Sequence, residues 1–307
     1  MRILIVANHN TGRFAPFVTE QVKAIRDKGE DVDFYGVHGY GITGYLSNLG
    51  ALKAKIREYQ PQVIHAHYGL SGLLANLQRS VPVITTYHGS DIHSKGLNLI
   101  LSKMCMRLSA YNIFVTRHLQ KQAGYHGSNQ CVQPCGIDTK TIFAMDCNEA
   151  RKQLGWSLET KYVLFSSAFD NAVKNSALAK AAVDKLHAVQ LVEMKGFTRQ
   201  QVNLALNAAN CILMTSHREG SPQVIKEAMA CGTPIVTVNV GDVKERLDGL
   251  DGCYVSQERS VDELANALSR ILTSVGRTAG RDRIFSDGLD NSQIADKIIS
   301  IYKQCLQ

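Results

Sequence analysis

No apolar run in this 307-residue chain is long enough to cross a bilayer. The longest are strand-sized, whereas a spanning helix needs roughly 20 apolar residues. The opening Met1-Arg2-Ile3-Leu4-Ile5-Val6-Ala7-Asn8 is too short for a signal-peptide core and turns polar at once, so it reads as a first parallel strand. The eight cysteines include no C-x-x-C pair; Cys131 and Cys135 come nearest, with a strand end and a Pro-Cys-Gly turn between them. A zinc site needs four ligands at suitable spacing, and none is evident. Free thiols in a reducing compartment are the reading that remains. There is no dense Lys/Arg run of the kind nucleic-acid binders carry, no internal repeat and no low-complexity tract.

What is present is unevenly distributed charge. Residues 1–140 hold 15 Lys and Arg against 8 Asp and Glu, while residues 141–307 hold 19 of each. All of the excess positive charge therefore lies in the first half. A basic face meeting anionic lipid or a pyrophosphate-bearing acceptor would use it. Ordinary solvated helix surface would also explain it, since Lys53/Arg57 and Lys103/Arg107 stand at helical i,i+4 spacing. Both readings stay open on the sequence.

Short apolar runs alternate with longer amphipathic stretches, the pattern of parallel sheets covered by helices, so the fold class is α/β. Strands fit Ile3–Ala7, Val32–Val37, Val63–Ala66, Val83–Thr86, Ile113–Val115 and Cys131–Gln133 in the first half. They fit Tyr162–Phe165, Ala188–Val192, Cys211–Met214, Ile235–Val238 and Cys253–Val255 in the second. Helices between them include Phe17–Lys28, Leu97–Leu108, Ser176–Leu186 and Gln223–Cys231. The rhythm lapses between Gly136 and Trp156, which divides the chain into two doubly wound domains, 1–140 and 141–289. A capped apolar stripe from Asn291 to Tyr302 forms a last helix.

The most informative stretch runs from Ser216-His217-Arg218-Glu219-Gly220-Ser221-Pro222 to Glu227-Ala228-Met229-Ala230-Cys231-Gly232-Thr233-Pro234. Ser221 is a good N-cap and Pro222 suits the first helical position; Gly232 ends the helix and Pro234 stops it restarting. A helix mouth gathers backbone N–H groups and the positive dipole end, which suits phosphate. Glu219 and Glu227 bracket it, and ionised carboxylates accept several hydroxyl hydrogen bonds. Phosphate flanked by polyols describes a sugar nucleotide.

This pattern resembles the C-terminal signature of the retaining glycosyltransferases of family four. The segments Val63-Ile64-His65-Ala66-His67-Tyr68, Thr86-Tyr87-His88-Gly89-Ser90-Asp91, Gln133-Pro134-Cys135-Gly136-Ile137-Asp138 and Asn207-Ala208-Ala209-Asn210-Cys211 fall in the family's order. The resemblance implies the GT-B fold, two facing Rossmann-like domains with a cleft between them, the last helix (290–307) rejoining the first domain. It implies transfer of a sugar from a nucleotide-diphosphate donor to an acceptor hydroxyl, without a metal or other cofactor. Lys174 would offset charge on the leaving diphosphate, Glu219 would meet the donor sugar and Glu227 the ribose. Gly220, Ser221 and Pro222 would form the phosphate turn, with His88 near the donor sugar. The family usually has an arginine where this loop has Ser167-Ala168, and Arg218 is a substitute cation.

In the loop from Asn8 to Pro16, Gly12 suits close approach to the donor and Arg13 an anionic acceptor. His67 and Asp91 are further acceptor-side candidates, since His65 and His67 alternate on a strand and face one side. A glycan or lipid-linked acceptor, a cytoplasmic enzyme and peripheral contact with the inner face of the cell membrane complete the expectation. A nucleotide-sugar epimerase or a silent sugar-nucleotide-binding subunit could use the same site. Two motifs mislead. Gly39-Tyr40-Gly41-Ile42-Thr43-Gly44 matches G-x-G-x-x-G, but it follows the second strand and Ile-Thr-Gly-Tyr is a poor helix start. Asp31-Val32-Asp33 opens a strand far from any nucleotide loop, so solvation is its expected role.

Overall fold

Ile3, Leu4, Ile5 and Val6 are all fully buried, as befits a strand covered on both faces by helices. In the computed structural model, which describes residues 1–93, 96–274 and 276–307, this run is β1 (Arg2–Asn8). It lies in a parallel sheet with β2 (Asp31–Val37), β3 (Val63–His67), β4 (Val83–Tyr87), β5 (Tyr111–Phe114) and β6 (Gln130–Val132). The order is β2-β1-β3-β4-β5-β6. Helices α1 (Pro16–Asp27), α2 (Gly41–Leu46), α3 (Leu49–Tyr59), α4 (Gly69–Asn76), α5 (Leu97–Leu108) and α6 (Arg117–Ala123) make the crossovers.

Past α7 (Cys147–Leu154), a second parallel sheet holds β7 (Lys161–Phe165), β8 (Val189–Glu193), β9 (Cys211–Met214), β10 (Ile235–Val238) and β11 (Cys253–Ser256). Its order is β11-β10-β9-β7-β8. Helices α8 (Ser176–Val183), α9 (Arg199–Ala208), α10 (Gln223–Cys231) and α11 (Val243–Leu247) connect its strands, followed by α12 (Val261–Ser274) and α13 (Gly280–Ser286). The last helix is α14 (Asn291–Cys305). Two units result: Met1–Gly136 with Asn291–Gln307, and Ile137–Asp290. No helix of the described residues is long and apolar enough to cross a membrane.

Three helices were not expected from the sequence. In α7 the signals are local: Asp146 caps it by accepting the Glu149 N–H at 2.9 Å, and Gly155 ends it in the left-handed region. Its acidic, Asn-containing sequence falls where the strand-helix rhythm lapses between Gly136 and Trp156. Helix α13 fills the approach to α10, where a Cβ on Gly280 would come within 2.7 Å of the Met229 backbone. Helix α2 starts inside the G-x-G-x-x-G match. There a Cβ on Gly44 would lie 2.9 Å from the Gly39 carbonyl carbon. These glycines let two backbone segments touch, and Ile42-Thr43-Gly44-Tyr45, a poor helix start by sequence, is helical here.

In the first unit, α14 packs Ile294, Ile298 and Tyr302 against Ile3, Ile5 and Val18. The Tyr302 hydroxyl reaches His65 Nδ1 at 2.6 Å, and His65 Nε2 meets the Thr86 hydroxyl at 2.8 Å. Burial holds His65 well below the usual histidine range and His67 down to about 3, so both rings are neutral. Unfolding exposes them, and the unfolded chain then binds more protons below about pH 6.5. Their contribution is present above that pH and lost as pH falls toward about 3. Asp91, raised by burial to about 6, acts oppositely between its unfolded and folded values. Two histidines outweigh one aspartate. Acidification from neutral to about pH 5 should therefore cost this unit roughly 2–3 kcal/mol, read as a lower urea midpoint by circular dichroism. A midpoint that does not move would mean the rings are not held neutral.

Candidate functional site

In both units the sequence candidates lie at the C-terminal ends of parallel strands, where such sheets bind ligands. In the second unit, β9 leads into Thr215. Its hydroxyl donates to the carbonyls of Lys174 and Asn175 at 3.0 and 2.8 Å, and the His217 N–H donates to Val173 O at 2.9 Å. These bonds fasten the loop after β7 to the loop after β9. They bring Lys174 Nζ to 2.7 Å from Glu219 Oε1. Lys174 does not start α8: it closes a 3-10 turn (Ala172–Lys174), and Asn175 at φ 54° intervenes. An ammonium has three donors, and Glu219 engages one of them here.

Gly220 follows, backed by Gly241 at φ 59°, where a Cβ would fall 2.2 Å from Gly220 O. Ser221 was expected to cap α10, and it does not. Its hydroxyl donates to Asp242 Oδ2 at 2.9 Å, and Arg246 Nε donates to the same oxygen at 3.1 Å. Pro222 takes the N-cap place instead of the first helical position, and no side chain caps the helix. The long-range partner on the β10–α11 loop wins over the local capping rule. Without a side-chain cap from Pro222, the mouth of α10 still turns the positive end of its helix dipole toward the Gly220–Pro222 turn.

Glu227, one turn into α10, is buried and accepts from Arg199 Nη1 at 2.7 Å. Arg199 escaped notice in the sequence, although a cation at the first position of a helix opposes the dipole. It sits inside the Thr198–Gln201 capping box, at the first position of α9. Arg259 was also missed; it braces the site loop by donating to Ser216 O and His217 O at 3.3 and 2.8 Å. Arg218 is exposed. Where the family has its arginine, the backbone is held by a Met194 N–H bond to Ser167 O and a Phe169 N–H bond to Glu193 Oε2.

The first unit gathers three histidines. His65 and His67 stack with ring centres 4.7 Å apart, as strand alternation required. His67 Nδ1 lies 3.0 Å from His88 Nε2, and His88 Nδ1 lies 3.7 Å from Cys135 Sγ. With His67 neutral, only one of the facing nitrogens carries the proton. His67 Nε2 is buried without a hydrogen-bond partner among the described residues. A bare lone pair there costs less than a buried orphan N–H, so His67 Nδ1–H donates to His88 Nε2. Phe17 and Tyr68 flank the His88 ring at 4.7 and 4.6 Å.

His67 is fully buried, so it supports His88 and does not present itself to an acceptor. Asp91 likewise turns inward, accepting N–H bonds from Gly69 at 3.2 Å, His88 at 3.4 Å and Gly89 at 2.9 Å. Its work is to hold the His88 loop on the start of α4, where Tyr68 adopts φ 73°. Gly12, at φ 74°, has nothing within 4 Å of where a Cβ would stand, and Arg13 is exposed. Their loop is fastened by Asn10, which exchanges two hydrogen bonds with Gly39 at 2.7 and 3.0 Å. Among the described residues no three His, Cys, Asp or Glu side chains could together hold a metal ion.

The family model described as Glycosyltransferase Family 4 matches residues 6–141, and that described as Glycosyl transferases group 1 matches residues 161–274. TuaC of Bacillus subtilis, named for teichuronic acid biosynthesis, is 26% identical over 245 residues. That match covers 70% of this chain and 62% of TuaC. Sucrose-phosphate synthase from Thermosynechococcus elongatus superposes with a TM-score of 0.86 at 17% identity, covering 99% of this chain and 98% of that one. Anabaena Alr3699/HepE, solved in complex with UDP and glucose, gives 0.79 at 15% identity, covering 99% and 100%. These likenesses show the fold: two Rossmann-like domains of the GT-B type.

Proposed function

Because the chain belongs to the family-four glycosyltransferases, we propose that it moves a sugar from a nucleotide-diphosphate donor to an acceptor hydroxyl, with retention at the anomeric carbon. One observation carries this reading: the Lys174–Glu219 pair stands beside the uncapped start of α10, with Glu227 one turn further on. The diphosphate lies against the Gly220–Pro222 turn and the N–H groups of α10, with Lys174 as its cation. Arg218 is free to move toward the same charge. Glu219 accepts sugar hydroxyls. Glu227, oriented by Arg199, accepts the ribose hydroxyls through the oxygen that Arg199 leaves open. The family resemblance gives His88 a role toward the donor sugar.

The leaving diphosphate takes the proton of the incoming hydroxyl as the sugar–phosphate bond breaks. No metal enters this scheme. A nucleotide-sugar donor is supported by HepE, whose structure holds UDP and glucose. The acceptor is a glycan or lipid-linked glycan of cell-surface polymer assembly, supported by the naming of TuaC. Arg13 meets it, and the enzyme works at the inner face of the membrane.

A thermal-shift screen of UDP-, GDP-, dTDP- and ADP-sugars tests the donor site. A true donor at a hundred times its Kd stabilises the native state by about 2.7 kcal/mol. Glu227→Ala should remove most of that response, and its unliganded melting point should fall as well because Arg199 loses its partner. An undiminished response would sink the ribose assignment. Conversion of the donor to an isomer without acceptor would point to an epimerase instead.

A further inference from the structure

Helix α5 is turned the wrong way round for a solvent-facing helix. Ser102, Cys105 and Met106 face the interior, while Leu97, Ile100, Met104 and Leu108 are 55%, 56%, 45% and 38% exposed. At 100° per residue these four fall within an arc of about 80°. Lys103 and Arg107, both exposed, flank the stripe along one side. The helix carries no acidic residue. From Arg79 to Lys121 the sequence holds six Lys and Arg and one acid, Asp91, and Asp91 is buried. A shallow depression of about 270 Å³ continues the stripe past Leu108, lined by Arg79, Val81 and Pro82.

We propose that α5 is the membrane-contact element of this enzyme: its Leu97–Leu108 stripe enters the headgroup–acyl boundary of an anionic bilayer, with Lys103, Arg107 and Arg79 on lipid phosphates. The chemistry is that of an interfacial helix, apolar on one face and basic beside it. A second copy of this chain fits poorly. The first unit carries 16 Lys and Arg against 8 Asp and Glu, and a two-fold contact through α5 would set the basic flank against itself. An apolar stripe alone would not choose lipid; the missing acids do. The inference deepens the lipid-linked acceptor reading above by naming the surface that brings the enzyme to lipid.

Vesicle flotation tests it with the whole chain. Binding is expected to vesicles containing about one-third phosphatidylglycerol and to be at least tenfold weaker on phosphatidylcholine alone. Lys103→Ala with Arg107→Ala should lower partitioning about 25-fold, at roughly fivefold per charge. Ile100→Asp with Met104→Asp should abolish it, with an unchanged circular dichroism spectrum. Donor-induced thermal shifts should stay as in the parent for all variants, so a failure here is separable from a failure of the donor site. Absence of anionic-vesicle binding, equal binding to both lipids, or variants that bind like the parent would overturn the proposal. So would a dimer that Ile100→Asp with Met104→Asp converts to monomer without any vesicle effect.

Discussion

Replacing Lys174 by alanine should weaken nucleoside diphosphate binding about ten- to a hundredfold, the effect of removing a hydrogen bond to a charged group. Binding of the bare nucleoside should stay unchanged. Transfer should fall further, by a hundred- to a thousandfold, because charge accumulates on the leaving diphosphate and the ammonium meets it there. Titration calorimetry and single-turnover kinetics separate the two effects. Glu219→Gln should do the reverse in part. Without ligand, Glu219 holds Lys174 at 2.7 Å, and a carboxylate beside a diphosphate is also a like charge. The amide should therefore tighten binding of the nucleoside diphosphate severalfold while lowering transfer, since the sugar loses an ionised acceptor. Faster transfer by Glu219→Gln would remove Glu219 from the sugar contact, and a Lys174→Ala variant within threefold of the parent would remove Lys174 from the reaction.

Gly241→Ala should be the most damaging single-methyl change in the second unit. The new Cβ would meet Gly220 O at 2.2 Å and Glu219 O at 3.3 Å, and these are backbone atoms that cannot swing aside. The left-handed backbone at φ 59° adds about 1–2 kcal/mol for any L side chain. Together we expect a loss of about 2–4 kcal/mol in a urea titration and loss of the donor-induced thermal shift. Gly249→Ala is the matched control. It has φ 67° and nothing within 4 Å of its Cβ, so it should show the backbone cost alone and keep the donor response. Equal behaviour of the two variants would mean that the Gly220–Gly241 contact does not shape the turn.

What the sequence revealed was local. Continuous apolar runs became the buried strands Cys211–Met214 and Ile235–Val238, because period and length carry that signal. The end of α10 was legible because Gly232, at φ 68°, is the residue a left-handed C-terminus favours. Lys174 was legible only through the family resemblance, and it closes a 3-10 turn instead of opening a helix. What stayed hidden were partners brought from afar. Arg199 reaches Glu227 across 28 residues and Asp242 reaches Ser221 across 21. Tyr302 meets His65 across 237. No local rule anticipates such pairs, and one of them overrode the N-cap that local chemistry favours at Ser221.

The same limit explains His67 and Asp91. Their residue types suit an acceptor site, yet burial and backbone N–H bonds turn both into supports for His88. Charge patterning was the opposite case. Lys103 and Arg107 are ambiguous at i,i+4 spacing, and the exposure of Ile100 and Met104 beside them is the observation on which the proposed lipid contact rests.

The decisive measurement is a crystal structure of the second unit's site, in the whole chain, with the nucleoside diphosphate that gives the largest thermal shift. Phosphate oxygens about 3 Å from Lys174 Nζ and from the first N–H groups of α10, with ribose hydroxyls on Glu227, are the expected result. A ligand bound elsewhere in the chain, with the Gly220–Pro222 turn unoccupied, would contradict it.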